Sequence, residues 1–419
     1  MGKSSFSTKK QNPIRRRTGT MIKHASLFSQ LIGVFNRNQF FHLVYQHQAE
    51  RYTKRFSSWD HFVAMLFCQL AHAKSLREIC GGLACCTGKL RHLNMRQAPK
   101  KSTLSYANTH RPWEMFQDLF YQTLDTCKKA TPGKHKFRFK NKLLSLDSTT
   151  ISLCLSLFPW AHFRRTKGAI KLHLLLDHDG YLPTYAYISN GKRHDVTIAR
   201  RVPLAPGSIV TMDRGYNDYK LFAFWTGNGI FFVTRLKENA DYVVVKEHAI
   251  PHNRAIVSDQ LIQFTGYYAH QHCPHILRRV VVWDREKQED IVLLTNHLDF
   301  GATTIAAIYK DRWSIEIFFK TLKQHLKVKT FVGTSENALS IQIWTALIAI
   351  LLIKYLQFKS TFGWSLSNLI AFLRWNLFTY RNLWEWINKP FDILPLEPQS
   401  VQLPLPLTGL GQHLAQRTT

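Results

Sequence analysis

Four polar residues stand three, four and seven positions apart in the stretch YKDRWSIEIFFKTLK, which covers residues 309–323. They are Tyr309, Arg312, Glu316 and Lys323. On a helix that turns ~100° per residue they occupy an arc of roughly 60°, so one carboxylate shares a stripe with two cations and a phenol. This combination suits a metal ion together with phosphate, because the acid holds the metal while Arg and Lys bind phosphate oxygens.

The neighbours of these four residues are apolar and surround the rest of the predicted helix. A helix that is apolar on most sides is buried, so we expect the polar stripe to face a cleft. The alternative is a surface ion-pair network of Arg312 with Glu316 and of Glu316 with Lys320. The apolar neighbours are Ile308, Trp313, Ile315, Ile317, Phe318, Phe319 and Leu322.

Two aspartates elsewhere favour the metal interpretation. Asp147 lies in the middle of the strand-like segment LLSLDSTTISL, and Asp213 ends the apolar segment SIVTMD. An Asp in the middle of a strand is disfavoured, and binding of a metal ion would explain the position of Asp147. A local hydrogen bond to Thr149 or Thr150 is the alternative for Asp147. For Asp213, the alternative is capping of the following helix.

The elements around these aspartates alternate in a recognisable order. Three strands, a helix, a strand, a helix and a strand predict an RNase H-like mixed α/β sheet flanked by helices. In this fold Asp213 ends the fourth strand beside the first, at the sheet edge where ligands gather. The predicted segments are 143–153, 168–177, 181–189, 194–202 (helix), 208–213, 219–226 (helix) and 230–235.

The remaining segments predict the domain organisation. A basic disordered tail precedes an all-helical N-terminal domain, in which a short helix with Lys100, Lys101, Ser102, Ser105 and Asn108 could enter a DNA major groove. A basic linker leads to the catalytic domain, which a β-rich insertion interrupts before Glu316, and a Pro-rich tail ends the chain. The predicted bounds are 1–25, 26–127, 128–142, 143–235 with 301–380, 236–300 and 389–419.

Composition restricts the partners and the compartment. Lys and Arg number 56 against 27 acids, a net charge of +29, and such an excess favours a nucleic acid over a membrane. Seven scattered cysteines predict free thiols in a reducing cytoplasm, and no secretory signal is visible. The apolar run from Leu339 contains Gln342 and Thr345 and reaches Lys354, which favours a buried core helix over a membrane span.

These residues carry a family resemblance. Asp147 in LSLDSTT, Asp213 in MDRGY and Glu316 within Y-x2-R-x3-E-x6-K resemble the signature of bacterial insertion-sequence transposases of the DDE type. The similarity is to the cut-and-paste branch that carries a β-rich insertion before the glutamate. It covers roughly residues 140–355, and the helical segment 26–125 is similar to the N-terminal domain often found ahead of such a catalytic domain.

The resemblance implies metal-dependent cleavage at the element ends, a hairpin intermediate and strand transfer into target DNA. Asp147, Asp213 and Glu316 would hold two Mg²⁺ ions, with Mn²⁺ as a substitute, because their ligands are hard oxygens. Tyr309, Arg312 and Lys323 would contact phosphates of the element ends. Trp283 is our candidate for stacking on a flipped base, and a core tryptophan is its alternative.

The implied partners are double-stranded DNA, as terminal inverted repeats and target, and a second copy of the chain in the synaptic complex. We expect the protein in the bacterial cytoplasm, associated with the nucleoid. Two alternatives remain at this point. One is an RNase H-like nuclease or junction resolvase, which uses similar acids without joining strands, and the other is a non-catalytic basic DNA-binding protein.

Overall fold

A computed structural model describes residues 25–51, 53–86, 88–133, 136–164, 167–250, 255–326 and 330–392. Most of both predicted tails therefore lies outside the described residues.

The regular elements described before residue 131 are all helical, as the sequence predicts. The helix Ser58–Ala71 begins with a capping box, in which the Ser57 hydroxyl accepts from the Asp60 backbone and the Asp60 carboxylate accepts from the Ser57 backbone. This exchange satisfies backbone donors that a helix end leaves open. The helices are α1 (Leu27–Ile32), α2 (Arg37–Gln46), α3 (Ser58–Ala71), α4 (Leu76–Ala84), α5 (Lys101–His110) and α6 (Glu114–Ala130), with a 3₁₀ turn at Leu90–Leu93.

Within the described residues, ten strands form one mixed sheet. Its strand order is β2-β3-β1-β5-β6-β10-β9-β8-β7, and β4 also pairs with β3. The strands are β1 (Leu143–Leu153), β2 (His162–Arg164), β3 (Lys167–Asp177), β4 (Leu182–Asn190), β5 (Ile209–Thr211), β6 (Phe231–Arg235), β7 (Tyr242–Glu247), β8 (Ile256–Phe264), β9 (Leu277–Asp284) and β10 (Glu289–Thr295).

The part of the sheet that carries the aspartates has the predicted order. β4, β3 and β1 pair antiparallel, and β5 and β6 follow in parallel with β1. Short helices α7 (Asp195–Ala199) and α8 (Tyr219–Gly227) connect the strands where the sequence predicts helices.

The strands between β6 and Glu316 continue the same sheet. β10 pairs antiparallel with β6, and β9, β8 and β7 extend it outward. The β-rich stretch is present as predicted, with β8 and the short helix α9 (Tyr267–His272) as further elements that our sequence interpretation did not include.

The described C-terminal region is helical, with α10 (Ala302–Asp311), α11 (Trp313–His325), α12 (Glu336–Lys359), α13 (Leu366–Asn376) and α14 (Leu383–Asn388). Helix α12 is long and apolar enough to cross a membrane, but 94% of its most apolar window is buried inside the protein. It packs against α3, α5 and α6 as well as α11 and α13. Helix α12 is therefore the core helix that its interrupted apolar run predicts.

The described part of the basic linker is attached to the sheet. Lys142 pairs with Asp177 at 2.8 Å, and Lys136 pairs with the buried Asp311. Helix α6 also extends to Ala130, three residues beyond the predicted end of the helical region. These two cations bind acids of the protein itself, so their charges do not count toward DNA binding.

Candidate active site

Asp147 lies on β1, and Asp213 lies two residues beyond the end of β5, the neighbouring parallel strand. Ser145 of β1 is in register with Thr211 of β5. Asp147 follows Ser145 by two residues, and Asp213 follows Thr211 by two residues. Both acids therefore lie just beyond the carboxyl end of the parallel pairing, where open α/β sheets bind ligands. Asp147 also accepts a 2.7 Å hydrogen bond from the Ser148 backbone, and Asp213 accepts one of 3.0 Å from the Gly215 backbone.

Glu316 lies in the first turn of α11, and its negative charge acts on Asp147. The Arg312 guanidinium links the two elements, because it is 2.7 Å from a Glu316 oxygen and 3.8 Å from an Asp147 oxygen. The Arg312–Glu316 pair of our alternative interpretation thus exists. It is not a surface pair, since the Arg312 side chain is only 12% exposed and faces the acid-bearing strand.

The Asp147 carboxyl is short of compensating charge. Burial, together with the negative charges of Asp213 and Glu316, raises its pKa to about 7 against the opposing effects of the Ser148 backbone and Arg312. A carboxylate in this condition prefers to bind a proton or another cation.

The signature stretch is divided at Arg312, so our prediction of one helix over residues 309–323 is wrong. Arg312 ends α10 and begins α11, although its own backbone angles, φ −50° and ψ −33°, remain helical. The prediction that all apolar neighbours are buried is also wrong, because Trp313 is 58% exposed and Ile317 is 54% exposed. The buried side of α11 carries Ile315, Phe318, Phe319, Thr321 and Leu322.

Tyr309 and Lys323 flank the acids on the same pair of helices. The Tyr309 ring lies 5.5 Å from the Arg312 guanidinium carbon, and burial raises the pKa of its hydroxyl. The Lys323 ammonium donates to the Thr150 backbone oxygen of β1 at 3.1 Å. Arg312 and Lys323 therefore both contact β1, and Tyr309 and Glu316 contact Arg312.

Trp283 lies near the end of β9 and is 39% exposed. Partial exposure leaves ring surface for a base, so Trp283 stays a prediction for base stacking. Trp313, which we expected to be buried, is more exposed and directly follows Arg312.

A buried network that sequence reasoning missed supports the division between α10 and α11. The Ser145 hydroxyl is 2.7 Å from His178 Nε2, and His178 Nδ1 is 2.5 Å from Asp311. Hydrogen bonds from His178 and Lys136 overcome the effect of burial and lower the pKa of Asp311. Because Asp311 precedes Arg312, this network connects β1 to the residue that contacts Asp147 and Glu316. Only the YKDRW motif could have drawn attention to it.

The donor set fits a hard divalent cation in its chemistry. Asp147, Asp213 and Glu316 offer only carboxylate oxygens, which Mg²⁺ prefers, and Asp147 lacks sufficient compensation. Within the part of the chain that the structure describes, no three His, Cys, Asp or Glu side chains are grouped closely enough to hold a metal ion as they stand. All seven cysteines are free, as predicted.

Asp147 and Asp213 at the end of the parallel pairing, with Arg312 and Lys323 close to β1, form an arrangement of acids and cations that suits metal and phosphate binding. Comparison with known families gives a more specific assignment. Residues 138–352 match the model described as "Transposase DDE domain", and residues 23–96 match a "Domain of unknown function". The chain belongs to the DDE transposase family, as a bacterial insertion-sequence transposase.

Two bacterial relatives agree with this assignment. The "Probable transposase for insertion sequence element IS5377" of Geobacillus stearothermophilus is 30% identical over 65% of this chain and 72% of its own length. The "Putative transposase y4zB" of Sinorhizobium fredii is 31% identical over 66% of this chain and 77% of its own length. A cryo-EM structure of the piggyBac transposase synaptic complex with hairpin DNA matches 88% of this chain and 83% of that chain, at 11% identity and a TM-score of 0.40.

Proposed function

We propose that this transposase cleaves DNA at the ends of its insertion sequence and joins those ends to target DNA, with Asp147, Asp213 and Glu316 holding divalent metal ions. The observation that carries the proposal is the unbalanced charge of Asp147, a largely buried carboxylate with two further acids nearby. Family membership implies a divalent metal, and we propose two Mg²⁺ ions because the donors are all carboxylate oxygens. When bound, such ions activate the attacking oxygen and stabilise the leaving one.

Arg312 has two competing partners in this proposal. It is bonded to Glu316 at 2.7 Å, but a guanidinium also binds phosphate strongly and in two-point geometry. We infer that a phosphate of the element end draws Arg312 away from Glu316 and frees the carboxylate for a metal ion. DNA binding and metal binding then favour each other.

The proposed chemistry follows the family. In the first step water attacks the phosphodiester at the 3′ end of the element, the bond from phosphorus to the 3′ oxygen breaks, and that oxygen leaves as a 3′ hydroxyl. This hydroxyl attacks a phosphodiester of the opposite strand, and a hairpin forms as the bond from that phosphorus to the 3′ oxygen of the flanking DNA breaks and the flanking DNA leaves with a 3′ hydroxyl. A second water attacks the hairpin phosphodiester and frees the 3′ hydroxyl of the element. That hydroxyl then attacks a target phosphodiester, and the 3′ oxygen of the cut target strand leaves as a hydroxyl. Tyr309, Arg312 and Lys323 hold the end phosphates during these steps.

The network of Ser145, His178 and Asp311 has a positioning role in this proposal. It fixes the point where α10 meets α11, and so fixes where Arg312 lies relative to Asp147. Ser145 is fully buried, which argues against a nucleophilic role for its hydroxyl although the three side chains follow the order of a hydrolase triad. We further propose that the protein acts in the bacterial cytoplasm, as a homodimer when two ends are synapsed.

Incubating the protein with Mg²⁺ and its own flanking inverted repeats tests the proposal. We expect hairpin and joined products, whereas nicks alone would indicate a nuclease, and a gel shift without cleavage would indicate a binding protein. Glu316→Gln should retain end binding and abolish cleavage, because the amide keeps the shape of the side chain but loses its charge. Cleavage by this variant at the wild-type rate would refute the metal assignment.

A further inference from the structure

A large cleft lies in the N-terminal helical region, apart from the acids. It has a volume of about 1100 Å³ and lies between the segment after α2 and the segment that leads into and includes α5. The matched domain of unknown function covers only the first of these walls completely. The chain therefore builds the cleft from two neighbouring regions of sequence.

The lining of the cleft is strongly basic. Asp60 is its one acid among the described lining residues, and its carboxylate is bonded to the Ser57 backbone in the cap of α3. Arg111 is buried and donates to the Phe56 and Ser57 backbone oxygens, so it supports the wall instead of facing a ligand. The exposed cationic lining residues are Arg51, Lys54, Arg55, Arg96 and Lys100.

An aromatic pair stands on the α5 side of the same cleft. The Tyr106 and His110 rings are stacked, with centroids 4.0 Å apart and an angle of 19° between the rings. His110 Nδ1 donates to the Tyr106 backbone oxygen at 2.9 Å, which fixes its ring against the tyrosine. Tyr106 is still 67% exposed. One ring face is therefore covered by histidine while the other is open to the solvent.

A groove of cations with an exposed, fixed aromatic ring is how proteins bind single-stranded nucleic acid, since the cations follow the backbone and a base stacks on the ring. The size of the cleft agrees with this ligand. It slightly exceeds the roughly 300–1,000 Å³ of small-molecule sites, which leaves room for a few nucleotides.

We propose that this cleft, lined by the cations above and by Tyr106, binds an unpaired DNA strand through its phosphates and one stacked base. The site goes beyond the cleavage and joining proposed above and does not depend on them. It also differs from our sequence-based expectation that α5 enters a major groove with Asn108 among its outward-facing residues, because Asn108 is buried and Lys100 lines the cleft.

Fluorescence anisotropy with the full chain tests the site, using a labelled short oligothymidylate and a duplex of equal length. We expect tighter binding of the single strand, and a loss of roughly 5- to 150-fold for Tyr106→Ala, the range that corresponds to one stacked base. Tyr106→Phe should restore most of the affinity because the ring is kept. Tyr45→Ala is the matched control, since Tyr45 is 84% exposed on α2 and does not line the cleft.

The charged lining is tested by salt dependence. Arg96→Gln should reduce the slope of log affinity against log salt by about 0.7 for the single strand, whereas Arg77→Gln, an exposed position on α4 outside the cleft, should leave it unchanged. Equal effects of Tyr106→Ala and Tyr45→Ala would overturn the proposal. The proposal would also be overturned if the wild type bound the duplex more tightly than the single strand and Tyr106→Ala weakened the binding of both by the same factor. Glu316→Gln should bind the oligothymidylate like the wild type, which separates this site from the proposed metal site.

Discussion

Replacing Asp147 with Asn should stabilise the metal-free transposase above pH 7 and leave its stability near pH 4 unchanged. The ordinary pKa of an aspartate is 3.8, and burial together with Asp213 and Glu316 raises that of Asp147 to about 7. The side chain is 17% exposed, so solvent screens these effects little. A difference of about three pH units between the folded and unfolded pKa values corresponds to about 4 kcal/mol.

The sign follows from the protons that each state binds. Between about pH 4 and pH 7 the unfolded chain has lost the Asp147 proton while the folded protein still holds it, so unfolding becomes easier as the pH rises. Below pH 4 both states are protonated and the contribution is constant. Above pH 7 the full cost of the buried charge is present. Asn removes this cost, and Arg312 keeps Glu316 as its partner at 2.7 Å.

Urea unfolding at 25 °C in the presence of a chelator measures the difference. The free energy of unfolding of Asp147→Asn minus that of the wild type should grow from near zero at pH 4 to about 4 kcal/mol at pH 8. Asp125→Asn removes one exposed carboxylate from α6 and is the control for net charge. At pH 8, Mg²⁺ at 100 times its dissociation constant should stabilise the wild type by about 2.7 kcal/mol and the variant by less. A constant difference between wild type and variant across this pH range would refute the reasoning.

Three further predictions concern the residues around the acids. Arg312→Ala should weaken end binding and reduce its salt slope by about 1, measured by anisotropy with inverted-repeat DNA; an unchanged slope would show that Arg312 serves only as an internal ion-pair partner. His178→Gln should lower single-turnover cleavage at saturating DNA by roughly 10- to 100-fold while end binding is retained, the effect typical of losing a supporting hydrogen bond; an unchanged rate would restrict the network to stability. Trp283→Ala and Trp313→Ala should differ in hairpin formation measured on gels, because only the tryptophan that stacks on the base contributes ~1–3 kcal/mol to base binding. Hairpin formation at the wild-type level in both variants would show that neither tryptophan stacks on the base.

Local pattern and topology together were enough to predict the acid-bearing part of the sheet. Residues 143–153 are rich in apolar and β-branched side chains, and β1 has those bounds in the structure. Short connections then leave few ways to arrange the next strands. The fourth predicted strand, which is β5 in the structure, lies beside β1 and parallel to it. The approach of Asp147 to Asp213 follows from that register.

Contacts between distant residues explain what the sequence did not reveal. Strand β8 reads IVSDQLIQF, and its polar positions obscure the alternation. Asp259 on that strand is buried because it pairs with Arg278 on β9 through two hydrogen bonds of 2.8 and 2.7 Å. The contact of His178 with Asp311 spans 133 positions. Neither pairing has a local signal, and the exposure of Trp313 depends on what packs against α11, which periodicity does not report.

The charges around the buried acids separate a structural carboxylate from a candidate catalytic one. Asp259 and Asp177 each have a cation within 2.8 Å, and Asp311 has both His178 and Lys136. Such pairs offset the cost of burying the acid. Asp147 instead has its nearest guanidinium at 3.8 Å and shares it with Glu316. Burial and the charges of two further acids raise its pKa. Since a folded protein that lacks its ligand retains this cost, the acid with unbalanced charge is the one that gains most from a bound metal ion.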